Sequence, residues 1–155
     1  MYPVFLLMEG RPAVVVGAGR VGRRRAEALL AAGARVRVVA LSRVDGWDAA
    51  VEWVTSPFEP RHLDGAFVVM AAGPAEVNAA VVAACRERGV LVNNASDGDA
   101  GDFHVPAVLA RGPIRVAVGT GGASPSLAAR LRDHLAGAIG PEWEEELGRP
   151  GGGRA

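Results

Sequence analysis

A glycine-rich turn close to the start of the chain constrains the fold more than any other feature of the sequence. The turn reads Gly17-Ala18-Gly19-Arg20-Val21-Gly22 and follows an apolar run at 13–16, which predicts a buried strand. Small and apolar residues then recur with helical spacing from Arg20 to Ala32, Gly33 supplies a helix stop, and 35–40 predicts a second strand. A strand–turn–helix–strand unit of about 30 residues predicts a Rossmann-like α/β domain.

Each glycine of this turn has a physical task in binding a dinucleotide. Gly17 permits the tight turn, Gly19 lets the backbone approach a pyrophosphate, and Gly22 allows the helix to lie close to the strand. The acid expected at the end of the second strand is absent, because residues 40–43 read Ala-Leu-Ser-Arg. The serine can bind a ribose hydroxyl and the arginine can pair with a 2′-phosphate, so the residue chemistry alone leaves NAD and NADP open.

Strands and helices continue to alternate through the first two thirds of the chain. Strands are predicted at 51–54, 66–71 and 90–93, and a helix is predicted from Pro74 to Arg88. This order is typical of an α/β domain with a mainly parallel sheet. We place this NAD-binding domain at residues 1–105.

The pattern changes in the last third of the chain. A strand is predicted at 114–118, a glycine loop at 120–123, and a helix from Pro125 to about Ile139 with Ser124 as its N-cap. Residues 141–155 combine an acidic patch with a Gly/Pro-rich end, which predicts a short disordered tail.

The charge composition excludes several functional classes. The chain has 17 basic and 17 acidic residues, and a formal net charge of zero argues against a nucleic-acid-binding protein. Every basic residue is arginine, and the absence of lysine excludes Schiff-base chemistry and a phosphate-loop lysine. It also excludes the Tyr-x-x-x-Lys pair of short-chain dehydrogenases, although Asn93-Asn94-Ala95 is similar to one of their motifs.

The remaining composition points to a cytoplasmic setting. The single cysteine, Cys85, lies in an apolar helical pattern, which predicts a buried and unreactive thiol. No apolar run approaches the roughly 18 residues that span a bilayer, and the N-terminus lacks a secretory pattern, so we expect no membrane partner. His62 and His134 lack the spacing of metal ligands, and we predict no metal site.

Three ordered blocks of sequence carry a family resemblance. The first runs from Phe5 through the glycine turn to Ala34, the second comprises 76–78 and 91–106, and the third is 116–128. Over residues 1–140 the chain therefore resembles the siroheme synthase N-terminal family. These are precorrin-2 dehydrogenases, some of which are also sirohydrochlorin ferrochelatases.

The resemblance implies an oxidoreductase of siroheme and porphyrin biosynthesis. The reaction is oxidation of precorrin-2 to sirohydrochlorin, with hydride transfer from the macrocycle to NAD. The resemblance also implies a homodimer that forms through a dimerisation segment at 106–140. The family's cofactor contacts match Arg20, Val21, Leu41 and Ser42, which favours NAD. With the glycines, the predicted cofactor-binding set is Gly17, Gly19, Arg20, Val21, Gly22, Leu41 and Ser42.

The predicted catalytic position departs from the family pattern. Counting back from Phe103, the loop aspartate that the family uses for dehydrogenation and chelation falls on Ser96, and Asp97 follows it. Asp97 lies beyond the end of a parallel strand, where α/β proteins bind ligands, and its carboxylate can accept a proton as hydride leaves. We therefore predict Asp97 and Ser96 as catalytic residues, and we expect little or no iron chelation.

Two further expectations concern the substrate and a competing function. Backbone N–H groups of Thr120, Gly121 and Gly122 can meet a carboxylate of the tetrapyrrole, so this loop is a candidate substrate site. The alternative hypothesis is an NAD(H)-sensing Rossmann module that regulates a partner and catalyses nothing. The missing loop aspartate and the short region after Pro141 favour that alternative.

Overall fold

Five strands form the main sheet: β1 (Pro12–Val16), β2 (Arg35–Ala40), β3 (Glu52–Thr55), β4 (Val68–Ala71) and β5 (Leu91–Asn94). In the computed structural model, which describes residues 1–147, these strands are all parallel and lie in the order β3-β2-β1-β4-β5. Helix α1 (Arg20–Ala31) connects β1 to β2, and α2 (Ala75–Arg88) connects β4 to β5. The strand order reverses between β1 and β4, which is where doubly wound sheets bind ligands. The predicted Rossmann-like fold is confirmed.

The core forms because the central strands carry apolar residues on both faces. Every residue of β4 and the last four residues of β1 are buried, as continuous β-branched and small apolar runs predict. Helix α1 packs on β1 and β2, whereas α2 packs on β4 and β5. Gly33 and Gly89 follow these helices with φ of +80° and +64°, a backbone conformation that favours glycine as a helix stop.

The predicted buried thiol is confirmed. Cys85 lies on α2 and has no exposed surface. Burial, together with the nearby Asp102 carboxylate, raises the pKa of the Cys85 thiol to about 11. The thiol is therefore protonated at neutral pH and is a packing residue of the core.

The chain divides into two compact units, Met1–Phe103 and His104–Ala155. In the second unit, β6 (Ala107–Arg111) and β7 (Ile114–Val118) form an antiparallel pair. Helix α3 (Pro125–Ala138) packs on both strands and is followed by α4 (Glu142–Leu147).

Two parts of the second unit differ from the sequence-based expectations. Strand β6 was not expected, because Ala107–Arg111 contains one β-branched residue and only its pairing with β7 makes it a strand. The prediction of disorder from residue 141 is wrong for Glu142–Leu147, which form a helix whose first turn is acidic and so suits the helix dipole. The rest of the predicted tail, 148–155, lies outside the described residues.

Helix length and hydropathy bear on membrane insertion. Within residues 1–147, no helix combines the length and the apolar character needed to cross a bilayer.

Candidate functional site

The glycine turn after β1 has the geometry that a dinucleotide requires. At Gly17 the φ angle is +109°, and an added Cβ would lie 2.5 Å from the carbonyl oxygen of Ala72, so only glycine fits. An added Cβ at Gly22 would clash with the carbonyl oxygen of Gly17, which shows how closely α1 approaches the turn. An added Cβ at Gly19 would meet nothing within 4 Å, so the backbone there borders open space. A pyrophosphate can approach the chain at this point.

The first turn of α1 completes this candidate phosphate site. Gly19 is the N-cap and offers no side chain to accept the first N–H groups of the helix, and the first turn contains no acidic residue. The positive end of the helix dipole is therefore available to an anion. Of the predicted contacts, Arg20 is exposed and Val21 is half-buried at the start of the helix. These residues fit the pyrophosphate of a dinucleotide.

The end of β2 lies beside the glycine turn. The Gly17 N–H donates to the carbonyl oxygen of Val39 over 2.9 Å, which ties the turn to β2 one residue before that strand ends. The predicted cofactor residues Leu41 and Ser42 follow Ala40 directly, and both are exposed. The structure thus places the predicted cofactor-binding residues along one edge of the sheet, at the carboxyl ends of β1 and β2.

A polar network joins the ends of β4 and β5. Asn78, which has no exposed surface, accepts the Gly73 N–H at Oδ1 over 2.9 Å and donates from Nδ2 to Ser96 Oγ over 3.0 Å. Ser96 Oγ donates to Asn94 Oδ1 over 2.9 Å. The same Asn94 oxygen accepts the backbone N–H groups of Ser96 and Asp97 over 3.0 and 3.3 Å. The loop that carries both predicted catalytic residues is therefore fixed by two buried asparagines.

The loop aspartates have different surroundings. Asp97 is exposed, and its Oδ1 accepts the Asp99 N–H over 3.1 Å, at the start of the short 3-10 helix Gly98–Ala100. Asp102 instead accepts the Val92 N–H over 2.9 Å and so completes the hydrogen bonding of β5. Asp102 therefore has a structural contact, whereas Asp97 presents a carboxylate at the sheet edge.

A cavity of about 320 Å³ lies beside Asp97 within the first unit. Residues of α2 form one wall, and the loop after β5 forms the other. The lining residues are Ala75, Ala79, Val82, Ala83, Arg86, Asn94, Ser96, Asp97 and Ala100. Arg86 crosses between the walls and donates to the carbonyl oxygen of Ala100 over 3.0 Å. The two predicted catalytic residues therefore border a concave surface at the carboxyl edge of the sheet.

A second cavity, of about 260 Å³, lies at the opposite edge of the sheet, beside Pro12 and Arg35. Arg37, which also lines it, donates to the Glu52 carboxylate over 2.9 Å and to the carbonyl oxygen of His62 over 3.3 Å. None of the predicted site residues lines this cavity.

The predicted substrate loop belongs to the second unit. Thr120 Oγ1 donates to the carbonyl oxygen of Ser124 and accepts its N–H, each over 3.0 Å, which closes the loop on itself. Gly121 and Gly122 have φ of +66° and +85°, and an added Cβ at Gly122 would lie 3.2 Å from the His104 ring. Neither glycine N–H donates a hydrogen bond within the described residues. Ser124 Oγ accepts the N–H of Leu127 over 3.2 Å, which confirms the predicted N-cap.

The polar network contains contributions that sequence reasoning missed. Asn78 and Asn94 were each part of a motif, yet neither was predicted as a site residue. A signal was present for Asn78, because it shares a helical face with Val81, Val82 and Cys85, all of them buried. An amide on an otherwise apolar face needs buried hydrogen-bond partners. No group of three or more His, Cys, Asp or Glu within residues 1–147 has an arrangement that could hold a metal ion.

Comparisons with known proteins agree with this architecture. Residues 4–107 match the family described as "Putative NAD(P)-binding", and residues 111–138 match the family described as "Sirohaem biosynthesis protein central". Among solved structures, the chain is similar to SirC, a precorrin-2 dehydrogenase, with a TM-score of 0.75 and 27% sequence identity. That similarity covers 96% of this chain and 76% of SirC.

Curated relatives are siroheme synthases much longer than this chain. It is 40% identical over 139 residues to siroheme synthase 1 of Pectobacterium atrosepticum, covering 86% of this chain and 29% of that protein. It is likewise 40% identical over 144 residues to the siroheme synthase of Nitrosomonas europaea, covering 88% of this chain and 30% of that protein. The chain thus spans less than a third of the length of these relatives.

Proposed function

Since this chain belongs to the family described as "Putative NAD(P)-binding", we propose that it is an NAD-dependent precorrin-2 dehydrogenase. The observation that carries the proposal is the similarity to SirC over 96% of the chain. The open glycine turn supports the cofactor, because Gly19 and the uncapped start of α1 leave room and donors for a pyrophosphate. The predicted reaction is oxidation of precorrin-2 to sirohydrochlorin.

The chain's own residues have three tasks in this reaction. NAD, when bound, supplies the hydride acceptor. The glycine turn and α1 hold the pyrophosphate, while Leu41 and Ser42 border the adenosine ribose. Asp97 accepts the proton that leaves the macrocycle as hydride is lost. Its Oδ1 accepts the Asp99 N–H, and its exposed carboxylate has a second oxygen to take that proton.

Ser96 has a positioning role in this proposal. Its hydroxyl proton is donated to Asn94, and the same oxygen accepts the Asn78 amide. The hydroxyl therefore serves the loop and has no proton to give the substrate. The Ser96 hydroxyl and backbone N–H both donate to Asn94 Oδ1, which also accepts the Asp97 N–H, and this arrangement fixes the direction of the neighbouring carboxylate. Asp97 thus takes the role that the family assigns to the preceding position.

The second unit supplies the substrate loop and the dimer contact in this proposal. The N–H groups of Gly121 and Gly122 can donate to a substrate carboxylate, since they have no partner within the described residues. A second copy of the chain pairs through residues 106–140, the predicted dimerisation segment. We place the enzyme in the cytoplasm, a reducing compartment that its single thiol, Cys85, suits.

The test is anaerobic turnover of precorrin-2 with NAD, followed by sirohydrochlorin absorbance. We expect turnover by the unmodified protein. Asp97→Asn should lower kcat by about 100-fold, the range for a lost general base, and leave NAD affinity unchanged. Asp99→Asn is the matched control, because Asp99 lies two residues away and contributes only its backbone N–H to Asp97. Equal activity of the Asp97 variant and the unmodified protein would exclude Asp97 as the proton acceptor.

The same assay separates the alternative function. Intact NAD binding without turnover would support an NAD(H)-sensing module and reject the dehydrogenase. The alternative is supported by one observation: Ser96 stands at the position where the family has its catalytic aspartate. Ferrous iron added to sirohydrochlorin should be inserted no faster than the spontaneous rate, since Ser96 is engaged with two asparagines.

A further inference from the structure

The loop after β2 emerges where the adenosine ribose of a dinucleotide lies. The Gly17 N–H donates to the carbonyl oxygen of Val39 over 2.9 Å, and the Ser56 N–H donates to that of Ala40 over 3.0 Å, so the end of β2 is held from both sides. Residues 41–43 therefore leave the sheet directly beside the glycine turn. In Rossmann folds an acid here binds the 2′-hydroxyl of NAD, whereas an arginine nearby accommodates the 2′-phosphate of NADP.

The side chains at this strand end suit a phosphate. Ser42 and Arg43 are both exposed, and Arg43 forms no ion pair within the described residues. The loop acids come later: Asp45 lies two residues beyond Arg43, and Asp48 accepts the Ala50 N–H over 2.8 Å in its own turn. Residues 40–44 contain no carboxylate, a group that would repel a 2′-phosphate at this strand end.

Aromatic residues hold the Arg43 guanidinium near the strand end. Its central carbon lies 5.8 Å from the centre of the Trp53 ring, within cation–π range. Trp53 belongs to β3 and meets Trp47 edge-to-face with ring centres 5.1 Å apart. A guanidinium that rests on an aromatic ring loses less conformational freedom when it binds a phosphate.

A second guanidinium borders the same loop. Arg23, on α1, lies with Nη1 3.2 Å from where a Cβ on Gly46 would be, so the loop packs against the helix. Arg23 also pairs with Glu27 through Nε over 2.9 Å. Two arginines therefore lie at this loop. Arg43, at the strand end, forms no ion pair within the described residues, whereas Arg23, on α1, is paired with Glu27.

We propose that Ser42 and Arg43 form a subsite for the 2′-phosphate of NADP, so that this chain binds NADP as well as NAD. Arg43 is the residue that sets this specificity, because its planar N–H groups can bind two phosphate oxygens at once. Ser42 adds a hydroxyl that can donate either to the 2′-phosphate or to the 2′-hydroxyl of NAD. The inference rests on the proposed dinucleotide site and deepens it.

Calorimetric titration of the full chain with NAD and with NADP tests the subsite without requiring turnover. We expect NADP to bind at least as tightly as NAD. Arg43→Ala should weaken NADP by about tenfold or more, the usual loss of a charge-assisted contact, and leave NAD within about twofold. Ser42→Asp should weaken NADP in the same way, because a carboxylate at this position repels the 2′-phosphate. The matched control is Arg35→Ala, an exposed arginine at the other end of β2.

A second pair of probes isolates the 2′-phosphate. Adenosine 2′,5′-bisphosphate should bind more tightly than 5′-AMP, and Arg43→Ala should remove that difference. The subsite is overturned if NAD binds and NADP binds more than tenfold more weakly, or if Arg43→Ala weakens both equally; either result leaves the proposed dehydrogenase standing. Absence of binding by both dinucleotides would overturn the proposed function and the subsite together.

Discussion

The two units of the chain bury their apolar side chains to very different extents. Within the described residues, every buried apolar side chain except that of Ala128 lies in Met1–Phe103. In the second unit, the large apolar side chains of Val108, Leu127, Leu131 and Trp143 are 42% to 52% exposed. The first unit also has exposed large apolar side chains, and its difference from the second unit is the core that it encloses in addition. These exposed residues of the first unit are Met1, Tyr2, Val4, Phe5, Leu6, Leu7, Leu41, Val44 and Leu91. A five-stranded parallel sheet with a helix on β1 and β2 and another on β4 and β5 encloses a core, whereas a two-stranded sheet with one helix packed on it, α3, does not.

This difference suggests a division of tasks between the units. The first unit has its own core and carries the predicted cofactor and catalytic residues, so dinucleotide binding should require only one copy of the chain. Within the described residues, the second unit has one buried apolar side chain, that of Ala128, which is a small core for a separate fold. Its exposed apolar side chains therefore support the proposed homodimer, in which a second copy would cover them.

The largest expected effect tests how closely α1 packs against the glycine turn of the first unit. Gly22→Ala places a Cβ against the carbonyl oxygen of Gly17, a backbone atom that cannot move without distorting the turn. Overpacking of a core costs roughly 1 to 3 kcal/mol, and a backbone clash should reach at least the upper end, about 3 kcal/mol. Urea unfolding followed by circular dichroism measures this loss. Unchanged stability would show that α1 does not lie as close to β1 as the structure places it.

Gly19→Ala is the matched control within the same turn. Its Cβ would enter open space, and its φ of −74° suits any residue, so stability should fall by no more than about 1 kcal/mol. Dinucleotide affinity should nevertheless drop, because the Cβ occupies the approach of the pyrophosphate. The pair separates a glycine needed for packing from one needed for binding.

The next effect concerns the second unit. Leu127 and Leu131 lie one turn apart on α3 and are 43% and 42% exposed. Replacing both with aspartate would place two charges in the proposed dimer contact and should abolish the dimer, as seen by sedimentation velocity. A single exposed substitution changes monomer stability by only about 0.5 kcal/mol. Asp133→Ala, on the opposite side of α3, should leave the dimer intact. A persisting dimer in the double variant would move the contact elsewhere.

How much the sequence could predict also differs between the units. In the first unit, the spacing of Gly17, Gly19 and Gly22 located the turn, and Gly33 and Gly89 located the helix ends. These features depend on local backbone geometry, which residue type reveals. The sequence predicted less of the second unit. Strand β6 depends on its pairing with β7, and the strand propensity of single residues does not show which segments pair.

The pairing of residues within the polar network of the first unit was also beyond sequence reasoning. It joins Gly73, Asn78, Asn94 and Ser96, which lie up to 23 positions apart in the chain. The apolar helix face around Asn78 indicates that its amide needs buried hydrogen-bond partners, but it does not indicate which residues these are. Only the parallel alignment of β4 and β5 brings the ends of these strands together, so the network became visible with the sheet.

Asn78→Ala tests that network and should have an intermediate effect. The substitution leaves the Gly73 N–H without its acceptor and Ser96 Oγ without its donor. Loss of a buried hydrogen-bond partner costs about 1 to 3 kcal/mol in the free energy of unfolding. Because the network holds the loop of Asp97, kcat should fall while NAD affinity is retained. If turnover is unaffected by Asn78→Ala, the network does not position Asp97.

The smallest expected effect uses pH to test how well the first unit excludes water. The pKa of buried Cys85 is raised to about 11 from an ordinary value of 9.0. The unfolded chain therefore loses the thiol proton at lower pH than the folded chain does. The stability that this provides is fully present below pH 9 and is lost as the pH rises through 11. At pH 10 the free energy of unfolding should have fallen by about 1 kcal/mol.

The chain suits this measurement because it contains no lysine and one tyrosine, so few other side chains titrate between pH 9 and 11. Urea unfolding at pH 8, 9 and 10 should show the decline in the unmodified protein and a flatter profile in Cys85→Ala. The alanine variant is less stable at every pH because of the cavity it creates, so the slope with pH is the informative quantity. Equal slopes in the two proteins would mean that water reaches the thiol. The first unit would then be more open than its buried core implies, and the contrast between the two units would be correspondingly weaker.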